Sequence, residues 1–185
     1  SVLGKTSETE KKINAAEIDL DEQVEALIVR RQPIASDLRL VLAVSKIVRD
    51  LERMGDELEK VGSLSLECWT SGNDVGITEI QRIAEQVAKM LNESLTAFAR
   101  QDLKLARDIF ERERKVDKIY QSALRALATF MIEDPRLIGS VLNVIWIARS
   151  LERVGDHATN IAEYVIYLVQ GVDVRHPAVN QNIFK

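Results

Sequence analysis

The chain has 185 residues, 46% of them hydrophobic, 29% charged and 5% aromatic, with a net charge of −4. That length suits one well-packed domain or two small ones, and eight Gly with three Pro weigh against a turn-rich all-β chain or a Gly/Pro-rich disordered one. A single Cys excludes a disulfide framework and Cys-rich metal sites, two His leave little room for His-rich ones, and the acidic balance argues against broad nucleic-acid binding.

Five helices are expected from hydrophobic periodicity and end signals. The first runs from about Ser7, which has capping-box spacing to Glu10, to Arg31, with Pro33 marking its end. The second runs from Ser36 to about Trp69 and stops at the Ser71-Gly72-Asn73-Asp74 loop. The third covers about Ile77 to Arg100, and the fourth starts after Asp102 and reaches about Ile132. The fifth has Asp134 as N-cap, Pro135 at its first position and Gly171 at its C-terminal end. Residues 172–185 read as a tail. No run approaches the roughly 18 apolar residues of a membrane span. No signal peptide is expected, a lone thiol fits a reducing compartment, and the lack of an initiator Met fits a processed or trimmed chain.

An internal repeat dominates the organisation. Asp50-Leu51-Glu52-Arg53-Met54-Gly55-Asp56 recurs as Ser150-Leu151-Glu152-Arg153-Val154-Gly155-Asp156, at an offset of 100. Leu38, Val41, Leu42, Val44 and Ile47 recur as Ile138, Val141, Leu142, Val144 and Ile147. Glu10-Lys11-Lys12-Ile13-Asn14 resembles Glu113-Arg114-Lys115-Val116-Asp117, at an offset of 103. Two motifs repeating in the same order imply a duplicated unit. The expected architecture is all-α, with two tandem, sequence-related helical bundles over 1–72 and 73–171. The second has three helices. The first shows two, so its opening helix is expected to be missing.

Each core-facing stripe except one carries acids. In the fifth helix Ile138, Val141, Ile145 and Ala148 give way to Glu152, Asp156 and Glu163 on one face. In the second, Leu38, Val41, Ser45 and Val48 give way to Glu52, Asp56 and Glu59. The fourth carries Glu113 and Asp117 among Phe110, Tyr120 and Leu124, and the first carries Glu10, Asn14, Glu17 and Asp21 ahead of Val24 and Ile28. The third stripe, from Ile77 to Phe98, has none. Acids at i and i+4 lie one turn apart on one face, so two such helices side by side present four carboxyl groups to a shared space. Like charges gathered there are costly unless a cation or proton neutralises them. Oxygen-rich clusters suit hard or borderline cations such as Mg, Mn or Fe, with Zn also compatible, and can bridge more than one ion.

The expected first cluster is Glu10, Asn14, Glu52 and Asp56. The second is Glu113, Asp117, Glu152 and Asp156, open to solvent on one side. Glu17 and Asp21 are additional candidates for the first, and Asn160 and Glu163 for the second. Any single Glu-x-x-x-Asp pair is more often a solvated face or an ion pair, and Arg49, Arg53, Arg149 and Arg153 flank these acids. Four such pairs on apolar stripes, in repeated order, shift the balance towards metal. Gly55 and Gly155 lie between the acids, where a neighbouring helix or ligand could approach closely. His157 stands about 100° off the stripe, His176 has no sequence partner, and Cys68, Trp69 and Trp146 read as packing residues. No phosphate loop, nucleophile elbow or Cys-x-x-Cys is present.

These residues resemble the PhoU family of phosphate-uptake regulators. Arg31-Gln32-Pro33-Ile34-Ala35-Ser36-Asp37-Leu38-Arg39 is similar to its Arg-Gln-Pro-x-Ala-x-Asp-Leu-Arg segment. Leu51 to Asp56 and Leu151 to Glu163 are similar to its two repeat signatures, and Tyr164 to Gly171 continues the similarity. The resemblance implies two three-helix bundles whose acidic pairs bind multinuclear metal clusters, Fe or Zn first and Mn or Mg next. It transfers onto the four pairs named above, with Asn14 standing where an acid is expected, which implies a smaller first cluster. It further implies a non-enzymatic negative regulator that links the phosphate ABC transporter ATPase to a phosphate-sensing histidine kinase. Such a protein is cytoplasmic, peripheral at the inner membrane through its partners, and a homodimer, without nucleic-acid binding or membrane insertion. Two alternatives stand beside it. A ferritin-like di-metal oxidoreductase would use Glu-x-x-His pairs at i, i+3, a spacing and residue type absent here. A metal-free helical scaffold would tolerate neutralised acids and ignore chelator.

Overall fold

The described residues fold into five α-helices, most of whose ends are set by the residues that local chemistry singles out. The computed structural model describes residues 2–70 and 74–174. The helices are α1 (Val2–Arg31), α2 (Ser36–Thr70), α3 (Ile77–Arg100), α4 (Leu103–Glu133) and α5 (Ile138–Gln170), with a 3₁₀ turn over Pro135–Leu137. Among the described residues there is no strand, and no helix is long and apolar enough to cross a membrane. The loop residues Ser71, Gly72 and Asn73, the Trp69 side chain, His176 and the rest of 175–185 lie outside the described residues.

Four helix starts and one helix end show how local rules and tertiary context share control. Asp102 caps α4 by accepting from the Leu105 N–H at 3.0 Å. Asp134 accepts from the Arg136 N–H, but Pro135 opens the 3₁₀ turn, and α5 proper begins at Ile138 rather than at Pro135. Ser7 does not start α1, because the helix already runs from Val2, so its capping-box spacing to Glu10 is incidental. Gly171 ends α5 in the left-handed conformation, donating to the Tyr167 carbonyl. Gly76, before α3, has φ +76°, and a Cβ there would stand 2.7 Å from both Leu127 Cδ2 and Val144 Cγ1. Only glycine lets the α3 start wedge between α4 and α5.

The two helix sets pack differently. α3, α4 and α5 pack on one another as a three-helix bundle, whereas among the described residues α1 packs on α2 alone. α2 joins the halves by lying along α5. Contacts across this seam pair Lys46 with Tyr164, Asp50 with His157, Glu57 with Arg153 and Glu67 with Asn143. Position numbers rise on one helix as they fall on the other, so the two are antiparallel. The repeat offset of 100 makes this arrangement pseudo-two-fold: position 50 meets 157, and 57 meets 150 to 153.

Ala43, Ile47, Asp50, Met54 and Glu57 form the α2 side of the seam, all buried at alternating steps of four and three. The α5 side is Ile147, Leu151, Val154, Ala158, Ile161 and Val165 at the same spacing, also buried. α5 touches three helices, so it is buried nearly all round, and each fully buried aliphatic there contributes about 1.5–3 kcal/mol. The first tail residues are not free either, since Val174 is buried against the same core. In the second repeat Val87 and Met90 of α3 cover Gly155. At the matching place in the first repeat, by Gly55, an apolar cleft of about 250 Å³ opens between Ile13, Leu20, Val48, Leu58 and Leu91.

Candidate functional site

The antiparallel pairs α1–α2 and α4–α5 each bring acids from both helices into one electrostatic neighbourhood. In the first, Glu52 feels Asp56 on its own helix and Glu17 and Glu10 across from it. Burial, then these three charges, raise the Glu52 carboxyl above its ordinary value, against the pull of Arg53. The Asn14 side chain lies within the same helix pair. Its Nδ2 donates to Glu10 Oε1, while its buried Oδ1 has no hydrogen-bond partner. Asp21 stands further along, accepting from Ser45 Oγ at 3.2 Å.

The second cluster is more desolvated. Burial, then Asp117, Asp156 and Glu163, raise Glu113 to about 7, with the Thr159 hydroxyl pulling the other way. Burial, Asp156 and Asp117 raise Glu152 despite Arg149 and Arg153. Burial and Asp117 likewise raise Asp156 against Arg149, His157 and Arg153. Arg149 Nη1 lies 2.6 Å from Glu152 Oε2. Glu113, Asp117, Glu152, Asp156 and Glu163 therefore share one field. Glu163 also borders a small polar pocket with Lys46, Tyr164, Tyr167 and Asp173.

The donors are carboxylate oxygens in both places, with the Asn14 amide oxygen added in the first, the set that hard and borderline cations take. The raised carboxyls and the unpartnered Asn14 oxygen are what a cation would relieve, so the residues fit one chemically. Among the described residues, as placed, no group of three or more His, Cys, Asp or Glu side chains could hold a metal ion. The acids meet at Coulombic range rather than at a coordination point.

Three candidates face elsewhere. Asn160 does not turn to the second cluster, because its Nδ2 donates to Asp50 Oδ1 at 3.0 Å. His157, a turn-step off the acid stripe, places Nδ1 2.7 Å from the same oxygen. Gly155 makes no tight approach, since a Cβ there would have only ordinary contacts, 3.7 Å to Val87 Cγ2 and 3.9 Å to Met90 Cε. At Gly55 the nearest atom, Ile13 Cδ1, would be 3.4 Å away.

Sequence reading missed the polar half of the α2–α5 seam. Asp50 and Glu57 are only 4% and 3% exposed. Glu57 pairs with Arg153 at 2.7 Å and Lys60 at 3.0 Å. Burial alone would raise Glu57, but hydrogen bonds from Lys60 and Ser150 and the charges of Lys60 and Arg153 hold it below its usual value. The signal was present in the sequence as a second heptad face on α2, carrying these two acids among Ala43, Ile47 and Met54.

Comparison with known proteins gives one consistent result. A family model described as "PhoU domain" matches residues 2–64 and 80–165. The chain is 51% identical over 170 residues to the phosphate-specific transport system accessory protein PhoU homolog of Pseudomonas aeruginosa, covering 91% of this chain and 70% of that protein. It is 40% identical over 169 residues to the phosphate-specific transport system accessory protein PhoU of Escherichia coli K12, covering 91% and 70% respectively. The crystal structure of PhoU from Pseudomonas aeruginosa superposes with a TM-score of 0.89 at 48% identity, over 92% of this chain and 82% of that one. The fold is also shared with the phosphate transport system regulatory protein PhoU from Streptococcus pneumoniae, with a TM-score of 0.84 at 23% identity over 94% and 82%.

Proposed function

This chain belongs to the PhoU family, and from that premise we propose that it is a non-enzymatic accessory protein that restrains phosphate uptake. It connects the ATPase of a phosphate ABC transporter to a phosphate-sensing histidine kinase, and metal ions held by its acidic clusters organise the helical surface that those partners meet. Relatives named as accessory proteins of the phosphate-specific transport system support the transport role. The observation that carries the metal role is that acids of both helices crowd one carboxyl or more in each pair: Glu52 is raised beside Asp56, Glu17 and Glu10, and Glu113, Glu152 and Asp156 are raised by burial and by one another with Asp117.

Glu10, Asn14, Glu52 and Asp56 would hold cations in the first cluster. Glu113, Asp117, Glu152 and Asp156, with Glu163 beside them, would hold them in the second. A bound cation supplies positive charge that neutralises the acids and ties the two helices of a pair together. The residues do the rest: burial sharpens the mutual repulsion, and the antiparallel packing keeps acids of both helices facing one another.

The experiment is metal content per chain on protein purified without chelator, followed by melts with and without EDTA. Several ions per chain, fewer in Glu152→Gln with Asp156→Asn, and a midpoint that falls on chelation are expected. No bound metal after incubation with iron, zinc and manganese, with identical midpoints, would remove the metal role. It would leave a metal-free helical scaffold.

A further inference from the structure

The two ends of the bundle differ in charge. At one end α1 turns into α2, α3 turns into α4, and α5 stops. These places are neighbours. Lys46 of α2, Tyr167 of α5 and Asp173 border one pocket, so residues 39–43, a turn earlier on α2, lie beside the end of α5. On α4, Glu113 stands level with Thr159, which puts the start of α4 level with the last turn of α5.

This end carries Arg30, Arg31, Arg39, Arg100 and Lys104. Against them stand Asp37, Asp102 and Asp173, of which Asp102 is engaged in capping α4. Among the described residues none of these five cations joins an ion pair, and the buried Arg39 Nε has no hydrogen-bond partner. At the other end, the α2–α3 and α4–α5 turns carry Glu67, Asp74, Glu79, Glu133 and Asp134 against Arg136, which pairs with Asp134. A chain with a net charge of −4 thus gathers an excess of positive charge at one end.

The cationic end is also where the backbone is strained and where apolar side chains project. Among the described residues the non-glycine positions with left-handed backbone are Gln32 (φ 46°), Ala35 (φ 49°) and Gln101 (φ 52°), all in its turns. The α1–α2 turn is pinned in that shape. The Gln32 N–H donates to the Ile28 carbonyl at 3.0 Å, and the Asp37 and Arg39 N–H groups donate to the Ile34 and Ala35 carbonyls at 3.1 Å. Ile34 is thereby held outward, 78% exposed, with Val29, 76% exposed, beside Arg30 and Arg31. Leu40, Val169 and Val172 are exposed nearby. Two arginines suit the negative end of the α1 dipole, but a dipole asks for no isoleucine in water beside them. Exposed aliphatics among unpaired arginines suit a lipid interface, where the aliphatics pass the headgroups and the guanidiniums bind lipid phosphate. A folded acidic partner would answer the charges but would need a socket for a projecting helix–helix corner.

We propose that this end is a peripheral membrane contact, in which Ile34 and Val29 enter the headgroup layer of an anionic bilayer while Arg30, Arg31 and Arg39 hold its phosphates. The contact gives the protein its own grip on a membrane surface. It stands apart from the metal role.

The test is vesicle flotation of the whole chain at low salt, with EDTA present so that metal plays no part. The vesicles are phosphatidylglycerol and phosphatidylcholine in equal parts, or phosphatidylcholine alone. The chain floats with the anionic vesicles and not with the neutral ones, and about 0.5 M salt releases it. Arg30→Gln with Arg31→Gln weakens the apparent lipid affinity about twenty-fold, since each cation at an anionic surface is worth about five-fold. Ile34→Ser weakens it on the order of five-fold while removing no charge. Arg125→Gln with Arg136→Gln, an equal change of net charge away from this end, leaves it within about two-fold. All five positions are exposed, so the variants keep the parent's melting curve. No flotation with anionic vesicles, equal flotation with neutral ones, an unaffected Ile34→Ser, or an equal loss in the Arg125 and Arg136 variant would each overturn the proposal. Retention of soluble polyglutamate through Arg30 and Arg31 without vesicle binding would also overturn it, and would mark an acidic protein as the partner.

Discussion

Replacing Glu113 by Gln should stabilise the metal-free protein, by an amount that grows as pH rises from about 4.5 to about 7. Burial and the surrounding acids move this carboxyl from 4.5 to about 7. The folded state therefore binds a proton more tightly than the unfolded state does. Whatever favourable contribution this gives is complete below about pH 4.5 and is lost as pH rises through about 7, where the folded chain must carry an unwelcome charge. The full displacement corresponds to a ceiling of about 3 kcal/mol. Glu113 is only partly buried, so solvent screening reduces this to about 1–2 kcal/mol. Glu52, Glu152 and Asp156 shift in the same direction and add to the slope, while the lowered Glu57 opposes it towards acid. Thermal melts in chelator between pH 5.5 and 8.5 measure the effect. Glu113→Gln should melt about 2–6 °C above the parent at pH 8.5 and less than half as far above it at pH 5.5. An unchanged pH slope, or a less stable variant at pH 8.5, would refute the desolvated-cluster argument.

Three further substitutions probe the frame. Gly76→Ala should cost about 2–4 kcal/mol by urea titration, combining a left-handed backbone with a 2.7 Å approach to Leu127 and Val144; a loss under about 0.5 kcal/mol would contradict that packing. Asp50→Ala should cost about 2–3 kcal/mol by stripping His157 and Asn160 of their acceptor, with Asp50→Asn losing less; equal losses would show that the carboxylate's acceptor role is unimportant. Gly155→Ala should hold or raise stability by up to about 1 kcal/mol, since the new methyl meets only ordinary contacts while the helix gains propensity; a marked loss would restore the close-approach role expected from the sequence.

The parts of the fold legible in the sequence were those governed by local or repeated signals. Asp102, Asp134 and Gly171 mark helix ends because capping chemistry needs only near neighbours. The 100-residue repeat forecast that α2 and α5 would play equivalent roles, and the acid stripes forecast which helices would face each other. The antiparallel α2–α5 seam was not legible, because a single stripe was assigned to each helix while both of these carry two buried faces. For the same reason one stripe per helix does not set Asp50 and Glu57 apart as seam residues, and Asn160, an additional candidate for the second cluster, donates to Asp50 instead. The Ser7 spacing does not mark a helix start because a capping box fixes only two of four residues, and the chain before it is already helical.

The antiparallel seam also fixes how far apart the two clusters are. Met54 and Val154 face the partner helix, so Glu52 and Asp56 on α2, and Glu152 and Asp156 on α5, point about 160° away from it. The clusters stand on opposite flanks of a two-helix slab, about 20 Å from one to the other. At physiological ionic strength the screening length is about 8 Å. The field of one loaded cluster is spent well before it reaches the other, so the two should fill without repelling each other. Any crosstalk between them has to travel as a shift of the helices through Asp50, His157 and Asn160.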